Sequence, residues 1–335
     1  MKRARQSIGV KDRGAVLLTT LLVMALMASL SVAIFDELRV AVKRAASINA
    51  QAQADWYLRG AEDFAQSHLQ TTLATIDPAL VGQSLRNPDP IIFPVEGGAI
   101  SLRLSDGGTC LSINALNRTQ VRQQFTRLLE ILGWDPRSAE SLTAVTRDWI
   151  DEDTQISQGG GAEDFTYLGR DPSHRSANAA LSSVLDMRAL EGMDEEKFRR
   201  LRPYICTRPS DRSPALHINN LGLEHVPLLA SLIATENNFT LARAVIEARP
   251  PEGYVDQAQL QASPILEDVE GGDISFDLIS YEIEFVWVEA EIFVGEAARY
   301  GAFEFAIDEG EITPSFKRDG DETFRLELTP LEASF

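Results

Sequence analysis

The stretch "KDRGAVLLTTLLVMALMASLSVAIFDE", residues 11–37, combines a charged start with a long apolar run. From Ala15 to Phe35 there are 21 consecutive residues without a charge. At a rise of about 1.5 Å per residue, a helix of this length spans about 30 Å, the thickness of the hydrocarbon core of a bilayer. The apolar part of a cleaved signal peptide has only about 7–15 residues. The run therefore predicts a transmembrane helix over residues 15–35.

Two alternatives to a membrane anchor stay open at this stage, namely a cleaved secretory signal and a buried core helix. The run continues directly into Asp36 and Glu37, without a small-residue cleavage site followed by a turn-prone stretch. Basic residues are concentrated before the run, which favours an anchor whose N-terminus is cytoplasmic. These five residues are Lys2, Arg3, Arg5, Lys11 and Arg13.

The helical pattern continues well beyond the apolar run. No proline occurs between Ala15 and Pro78, and Gly60 is the only glycine in that interval. Apolar residues recur every three or four positions, which is typical of a helix with one apolar face. We therefore predict one long helix whose residues 36–72 project from the membrane as an amphipathic spine.

The composition is that of a globular, acidic protein. The chain has 335 residues, of which 44% are hydrophobic and 24% charged, so it is long enough for more than one domain. Its net charge is −19, and it becomes −23 without residues 1–14. Because phosphate binding relies on clusters of Lys and Arg, the acidic body argues against nucleic acid and anionic lipid surfaces as partners. Divalent cations and basic protein surfaces are candidates, and so is a role of the acidity in solubility alone.

Strand patterns flank a long helical region. Residues 78–98 are rich in proline and glycine, and we predict strands over Ala99–Leu104 and near Thr109–Ile113. Helical periodicity then extends from residue 117 to about residue 262. Within it, Asp194 is a predicted N-cap of a short helix. A helical block of about 145 residues is large enough to be a domain in its own right.

The strand signal returns in "ISYEIEFVWVEAEIFVG", residues 279–295. Apolar residues alternate with Glu282 and Glu284 in its first half, whereas the glutamates of the second half take the opposite phase. We therefore predict a β-bulge or a change of face near Val286–Val288.

Together these patterns predict an α+β fold with a long N-terminal helix and an antiparallel sheet. A large all-α domain is inserted between the strands. The expected segments are a leader (1–14), a transmembrane helix (15–35), a spine helix with the first strands (36–116), an inserted helical domain (117–265) and a C-terminal β part (266–335).

The chain contains two cysteines, Cys110 and Cys206. In an exported domain such a pair meets oxidising conditions, which favours a disulfide between them. Two separate buried thiols are the alternative, and two thiols alone do not make a zinc site. In the chain-entropy model, a closed loop of this length would contribute about 4–5 kcal/mol to stability.

The N-terminal region resembles the class III signal of type IV pilins and type II secretion pseudopilins. The resemblance rests on the short basic leader that ends in Arg13-Gly14 and on the hydrophobic helix that follows at once. It implies that a prepilin peptidase cuts between Gly14 and Ala15, leaves the helix in place and methylates the new amino terminus. Most members have glutamate at the fifth mature position, which is Thr19 here. A missing glutamate is typical of the K-type minor pseudopilins.

A second stretch, "DWIDEDTQISQGGGAEDFTYL" at residues 148–168, resembles the signature of the K-type pseudopilins. That signature has Asp-Trp-x-Asp, then a variable loop, then Gly-Ala-Glu-Asp and an aromatic residue. Residues 215–234 resemble the second helical subdomain of the same group, although Asn219-Asn220-Leu221 departs from the usual Asn-Thr-Ala run. The resemblance covers almost the whole chain and implies a pilin-like fold.

The same stretch, residues 148–168, carries a candidate metal site. Its acidic residues can supply several carboxylate oxygens from one flexible loop, and such oxygens are the ligands that calcium prefers. The loop lacks the ligand and glycine positions of an EF-hand. A solvated acidic loop that caps a helix is the alternative, whereas the K-type resemblance favours calcium. The expected ligands are Asp151, Asp153, Glu163 and Asp164.

No pattern in the sequence predicts catalysis. The four histidines occur outside any H-E-x-x-H motif, and no G-x-S-x-G elbow is present. The glycines at 159–161 are not followed by the Lys-Ser/Thr pair of a phosphate-binding loop. We therefore expect an assembly protein and not an enzyme.

The resemblance implies a minor pseudopilin at the tip of the periplasmic pseudopilus of a type II secretion system, where it helps to initiate assembly. The implied partners are other minor pseudopilins, the major pseudopilin, the prepilin peptidase and the inner membrane, with secreted cargo as a further candidate and no nucleic acid. The implied location is the inner membrane, with one span, a cytoplasmic N-terminus and a periplasmic body. The alternative is a minor pilin or membrane-anchored adaptor of a type IV pilus-like system.

Overall fold

The computed structural model describes most of the chain, namely residues 10–76, 81–82, 84–86, 89–267, 269 and 273–320. Three predicted features therefore lie outside the described residues. They are the first nine residues of the leader, Pro78 and the end of the C-terminal β part, residues 321–335.

The first element is a single uninterrupted helix, α1 (Val10–Thr75), of 66 residues. At about 1.5 Å per residue it is roughly 100 Å long. Every residue from 14 to 49 is exposed, including the whole apolar run. Among the described residues, α1 is the one helix long and apolar enough to cross a membrane. The prediction of one long helix is confirmed, and its apolar start is consistent with a single membrane span.

The main sheet has five antiparallel strands in the order β1-β2-β7-β8-β9. Two short parallel ladders, β3-β4 and β5-β6, lie outside this sheet. The strands are β1 (Ile91–Val95), β2 (Gly98–Asp106), β3 (Leu111–Ser112), β4 (Ile205–Cys206), β5 (Leu216–His217), β6 (Ile279–Ser280), β7 (Phe285–Val294), β8 (Ala297–Asp308) and β9 (Glu311–Asp319).

The outer half of α1 packs on one face of the main sheet. Its buried side chains are spaced by three or four residues, as a single helix face requires. Several of them are alanines, which let the helix lie close to the strands. In β8, a Cβ at Gly301 would come within 2.8 Å of the Leu58 side chain, so the glycine makes room for this leucine. The buried residues of this face are Ala54, Leu58, Ala61, Ala65 and Leu69.

The helical region lies between β2 and β7, which are neighbours in the sheet. Its α-helices are α2 (Thr119–Ile131), α3 (Pro136–Ile150), α4 (Asp164–Leu168), α5 (Glu195–Leu201), α6 (Val226–Ala230), α7 (Asn238–Glu247) and α8 (Gln257–Gln261). Its 3₁₀ helices are Ile113–Ala115, Val184–Ala189, Arg202–Tyr204, Ile218–Asn220, Leu223–His225, Pro264–Leu266 and Phe276–Leu278.

Two separate hydrophobic cores reflect this organisation. One core joins α1 to the main sheet, and the other belongs to the helical region. In the helical core, α2 buries Val121, Phe125 and Leu128 on one face. The predicted cap is confirmed, because the Asp194 side chain accepts a hydrogen bond from Lys197 N at the start of α5. The predicted α+β fold is thus confirmed, and the inserted region is mainly helical but also contains the short strands β4 and β5.

Two strand predictions need correction near the start of the sheet. The segment that we described as rich in proline and glycine contains β1, which tolerates Pro94 because β1 is an edge strand among the described strands. The strand predicted near Thr109–Ile113 is reduced to the two residues of β3. The chain leaves the main sheet after Asp106, so β3 pairs with β4 of the helical region instead.

The predicted bulge near Val286–Val288 is wrong. Strand β7 pairs without a register shift with both β2 and β8, and the irregularity lies between Glu304 and Phe305, where β8 pairs with β9. The phase change in the sequence has another cause. The first part of β7 is buried on both faces, because Phe285 is covered by Arg208 of the helical region.

Candidate metal centre in the helical region

The acidic stretch follows the end of α3. This helix is capped at its start by Asp135, whose side chain accepts a hydrogen bond from Ser138 N at 3.1 Å. It ends at Ile150, with Asp151 as its C-cap residue. The chain then leaves the helix, turns and returns at Glu163, which precedes α4. Residues that are twelve positions apart in the sequence are thereby brought to the same place.

Glycines make the turn possible. Gly159 and Gly160 have φ values of +98° and +99°, in the left-handed region that favours glycine. Gly161 lies so close to α3 that a Cβ there would be 2.1 Å from Oδ2 of Asp148. The three glycines at 159–161 therefore allow the path that the backbone takes here.

The turn brings three of the four predicted ligands together. One carboxylate oxygen from each of Asp151, Asp153 and Glu163 lies within 4.8 Å of the other two. Glu163 is buried and Asp153 is exposed, so the cluster is reached from the surface at Asp153. Among the described residues, neither carboxylate oxygen of Glu163 has a hydrogen-bond partner, and neither does Oδ1 of Asp151. Buried carboxylate oxygens without donors are what a bound cation would satisfy.

The fourth predicted ligand, Asp164, lies outside this cluster. Its Oδ1 accepts a hydrogen bond from Ser176 N at 3.1 Å, and its Oδ2 lies 3.5 Å from Nη1 of Arg175. Asp164 therefore ties the start of α4 to the segment that follows this helix.

The electrostatics of the cluster favour a cation. Burial raises the pKa of Glu163 to about 7, and the nearby charges of Asp148 and Asp151 add to this effect. The pKa of Asp151 is also raised, first by burial and then by the charges of Asp153 and Asp148. A divalent cation would relieve both the repulsion and the missing hydrogen bonds. The residues present thus fit a hard cation such as calcium, for which they would supply part of an oxygen shell of about six to eight ligands.

Comparisons with known proteins identify relatives of this chain. The family model described as type II secretion system (T2SS), protein K, matches residues 109–210, which include the acidic cluster. A type II secretion system protein K from Pectobacterium carotovorum subsp. carotovorum is 32% identical over 299 residues, 86% of this chain and 90% of the relative. Another from Klebsiella pneumoniae is 33% identical over 270 residues, 78% of this chain and 82% of the relative.

The chain belongs to the type II secretion system protein K family. The fold agrees as well, since the solved GspK-GspI-GspJ complex from enterotoxigenic Escherichia coli contains a similar chain. That chain has a TM-score of 0.70 and 26% identity, and the match covers 83% of this chain and 99% of that one. The chain is therefore a minor pseudopilin of a type II secretion system, which decides against the type IV pilus alternative.

The N-terminal features expected of a protein K family member lie at the start of α1. Gly14 and Ala15 are exposed and helical, and α1 runs through them without a break. The Thr19 hydroxyl donates to the carbonyl oxygen of Val16 at 2.9 Å. Where other pilins have a glutamate, this chain therefore has an uncharged group that is satisfied within its own helix.

The two cysteines of this protein K family member are joined. Cys110 and Cys206 form a disulfide, so the alternative of two separate thiols does not apply. Cys110 directly precedes β3 and Cys206 ends β4, so the bond lies at the short parallel ladder. It connects the point where the chain enters the helical region with a segment deep inside that region.

A buried ion pair next to the disulfide joins the helical region to the sheet. Arg208 and Glu304 are each 1% exposed, and Nε of Arg208 donates to both carboxylate oxygens at 3.0 Å. Nη2 of Arg208 also donates to the carbonyl oxygen of Gly107, and the guanidinium lies over the Phe285 ring at 4.1 Å. We did not predict this pair. Its partners are 96 positions apart, and no local pattern connects them.

A second buried polar group holds the same junction. The Asp106 carboxylate, at the end of β2, contacts Nδ1 of His217 and accepts hydrogen bonds from Asn220 Nδ2 and Gly108 N, both at 2.6 Å. Burial alone would raise the pKa of Asp106, but His217 and these donors hold it below its ordinary value. His217 is therefore part of a buried polar group that joins the helical region to the sheet.

The raised pKa of Glu163 predicts a pH dependence of stability. In the folded, metal-free chain Glu163 keeps its proton up to a pH of about 7, whereas an unfolded glutamate loses it near pH 4.3. The folded state binds more protons between about pH 4.3 and 7, so this contribution to stability is complete below that range and is lost as pH rises through 7. We expect the melting temperature in EDTA to fall between about pH 5 and 8, and Glu163→Gln to flatten the profile.

Thermal unfolding of the full chain in detergent micelles is the measurement. Glu252→Gln changes an exposed glutamate and serves as the control, which should keep the wild-type slope. An unchanged slope in Glu163→Gln would show that another group titrates.

Proposed function

We propose that this chain is the single tip subunit of the pseudopilus and that it helps to initiate its assembly. The observation that carries the proposal is the helical region inserted between the neighbouring strands β2 and β7. It is fixed to the sheet by the buried Arg208–Glu304 pair, so it does not swing aside as a flexible appendage would. A second copy stacked above it in a filament would meet this region. The tip is the position at which no copy lies above.

The residue at position 19 supports the same placement. In pilin-like filaments the glutamate of each subunit pairs with the terminal amine of the subunit ahead. An unpaired carboxylate within the bilayer is unfavourable by several kcal/mol, on the order of 2.5–3.5 on insertion scales. Thr19 carries no charge and hydrogen-bonds to its own helix, so a subunit with this residue needs no partner ahead. Its terminal amine still offers a partner to the next subunit.

Other minor pseudopilins are the proposed lateral partners. A related chain was solved in a complex named GspK-GspI-GspJ, which supports partners of this kind. The surface offered to them is the exposed part of α1 outside the membrane, with apolar side chains that no described residue covers. They include Leu38 (54% exposed), Val42 (67%) and Ile48 (59%). The major pseudopilin would follow below, and secreted cargo is a further candidate for the helical region.

Processing and location follow from the N-terminal segment. In this proposal the prepilin peptidase cuts between Gly14 and Ala15 and methylates Ala15, and α1 then stays in the inner membrane as a single span. The leader faces the cytoplasm and the body faces the periplasm. The proposal assigns no enzymatic activity. In its support, both cysteines are consumed by the disulfide and His217 by a buried polar group.

The acidic cluster is proposed to bind calcium as a structural ion. Asp151, Asp153 and Glu163 would hold it, and its charge would stabilise the loop between α3 and α4. The support is the set of buried carboxylate oxygens that lack donors among the described residues.

We predict that the mature chain in the membrane begins at a methylated Ala15. Mass spectrometry of the protein extracted from membranes should show this terminus, and Gly14→Val should leave the leader attached, because the bulkier side chain replaces the glycine at the cut site. Val10→Ala, also in the leader, is the control that should be processed normally. A soluble product that begins after Phe35 would contradict the anchor and restore a cleaved secretory signal.

We predict that cross-links from α1 capture other minor pseudopilins and few copies of this chain. The chain's own two cysteines are bonded, so Ile48→Cys adds a single free thiol. Cross-linking in cells that carry the secretion system, followed by identification of the adducts, measures the partners. Val255→Cys, on an exposed side chain of the helical region, is the control and should not give the same adducts. A homodimer of this chain as the main adduct of Ile48→Cys would overturn the tip position, because one thiol per chain can join at most two copies.

We predict that calcium raises the melting temperature of the full chain and that Asp151→Asn with Asp153→Asn removes this shift. Binding to the folded state alone stabilises by about 2.7 kcal/mol when free calcium is about 100 times the dissociation constant. Differential scanning calorimetry with calcium or EGTA measures the effect. Glu152→Gln lies in the same loop but outside the cluster and should keep the shift. No shift in the unmodified chain at millimolar calcium would favour the solvated-loop alternative.

A further inference from the structure

Asp148 is buried, acidic and absent from the ligand cluster. It lies in the last turn of α3 and is 0% exposed, although it is a carboxylate. The oxygens that come within 4.8 Å of one another belong to Asp151, Asp153 and Glu163 and do not include those of Asp148. A buried carboxylate needs donors to offset its desolvation. The donor it has is a backbone group of the returning loop.

The loop is bound to α3 through this carboxylate. Both oxygens of Asp148 accept from the backbone N–H of Ser157, each at 3.1 Å. The carbonyl oxygen of Ser157 in turn accepts from Gly161 N at 3.3 Å, which closes the turn. The Asp148 carboxylate therefore binds the loop at Ser157, where the loop reverses direction.

The Asp148 carboxylate also packs closely against Gly161. A Cβ at Gly161 would lie 2.1 Å from Oδ2 and 2.9 Å from Cγ of Asp148. Any larger residue would push the loop away from α3. Next to it, the Ser141 hydroxyl donates to the carbonyl oxygen of Gly160 at 3.0 Å, so the loop meets α3 at two points. Glu163 follows Gly161 by two residues and is carried to Asp151 by this contact.

We infer that Asp148 is the positioning residue of the candidate metal centre: it holds the loop of residues 155–161 against α3 so that Glu163 stands beside Asp151 before a cation arrives. The inference rests on the proposed calcium site for its consequence, whereas the loop contact consists of hydrogen bonds between protein groups. Outer groups that orient metal ligands typically change affinity by about 10- to 100-fold when they are removed. An asparagine at position 148 would keep one acceptor oxygen for Ser157 N, whereas an alanine would keep none.

The test compares Asp148→Ala with Asp148→Asn in the full chain. Amide hydrogen exchange in EGTA reports whether the loop is closed without metal, and isothermal titration with calcium reports affinity. We expect Asp148→Ala to lose protection at residues 157–163 and to bind calcium about 10- to 100-fold more weakly. Asp148→Asn should keep the protection and recover most of the affinity. Ser157→Ala retains the backbone donor and should behave as the wild type in both measurements.

A second variant keeps the test informative if Asp148→Ala does not fold. Gly161→Ala places a Cβ against the same carboxylate and should open the loop from the opposite side, with the same loss of protection and affinity. Full protection in both Asp148→Ala and Gly161→Ala would overturn the inference. It would also be overturned if Asp148→Asn kept the protection but bound calcium as weakly as Asp151→Asn, because Asp148 would then be a ligand. An open loop in Asp148→Ala, with no calcium binding by the unmodified chain, would overturn the proposed ion and support the role of Asp148.

Discussion

The structure depends on the pairing of β2 with β7, two strands that the inserted helical region separates in the chain. Strands β2 and β7 pair along nine residues of β2, although the whole helical region lies between them in the chain. The end of β2 and the start of β7, where the chain leaves and re-enters the sheet, are therefore only one strand spacing apart. Gly107 and Gly108 allow this, because a Cβ at Gly107 would lie 2.5 Å from the Phe285 side chain and one at Gly108 would lie 2.8 Å from His217. Close packing at this exit leaves no space for larger residues.

The same junction carries two buried polar contacts between the helical region and the main sheet. Removing one member of a buried ion pair typically costs about 3–5 kcal/mol, a large share of the roughly 5–15 kcal/mol by which a domain is stable. The Arg208–Glu304 pair and the Asp106 group therefore fix the orientation of the helical region, and the disulfide holds β4, whose last residue precedes Arg208 by two positions. The acidic cluster is thus presented at a defined distance and direction from α1.

Local patterns in the sequence were sufficient to predict helices and strands whose formation depends on residues close together in the chain. The absence of proline and the three-to-four periodicity gave α1, and the alternation of side chains gave β2 and β7. Three of the four predicted metal ligands also lie close together. The turn that joins them could be predicted from the glycines at 159–161. What failed depends on contacts between distant segments. Arg208 covers Phe285, and the resulting change in the apolar pattern was taken for a bulge. Asp164 accepts a hydrogen bond from Ser176 N and lies outside the cluster. Neither partner can be read from sequence spacing.

The exposure of α1 has a consequence for the medium around it. Residues 14–49 are uncovered on every side, so this stretch of helix has no face that prefers the body of its own chain. Lipid tails and aliphatic side chains are similarly apolar, so an apolar helix gains little from one over the other as its surroundings. For the uncharged part of this stretch, residues 15–35, moving from lipid into a bundle of like helices is then nearly isoenergetic. The helices of neighbouring subunits can therefore surround the apolar part of α1 in place of lipid, with little change in free energy.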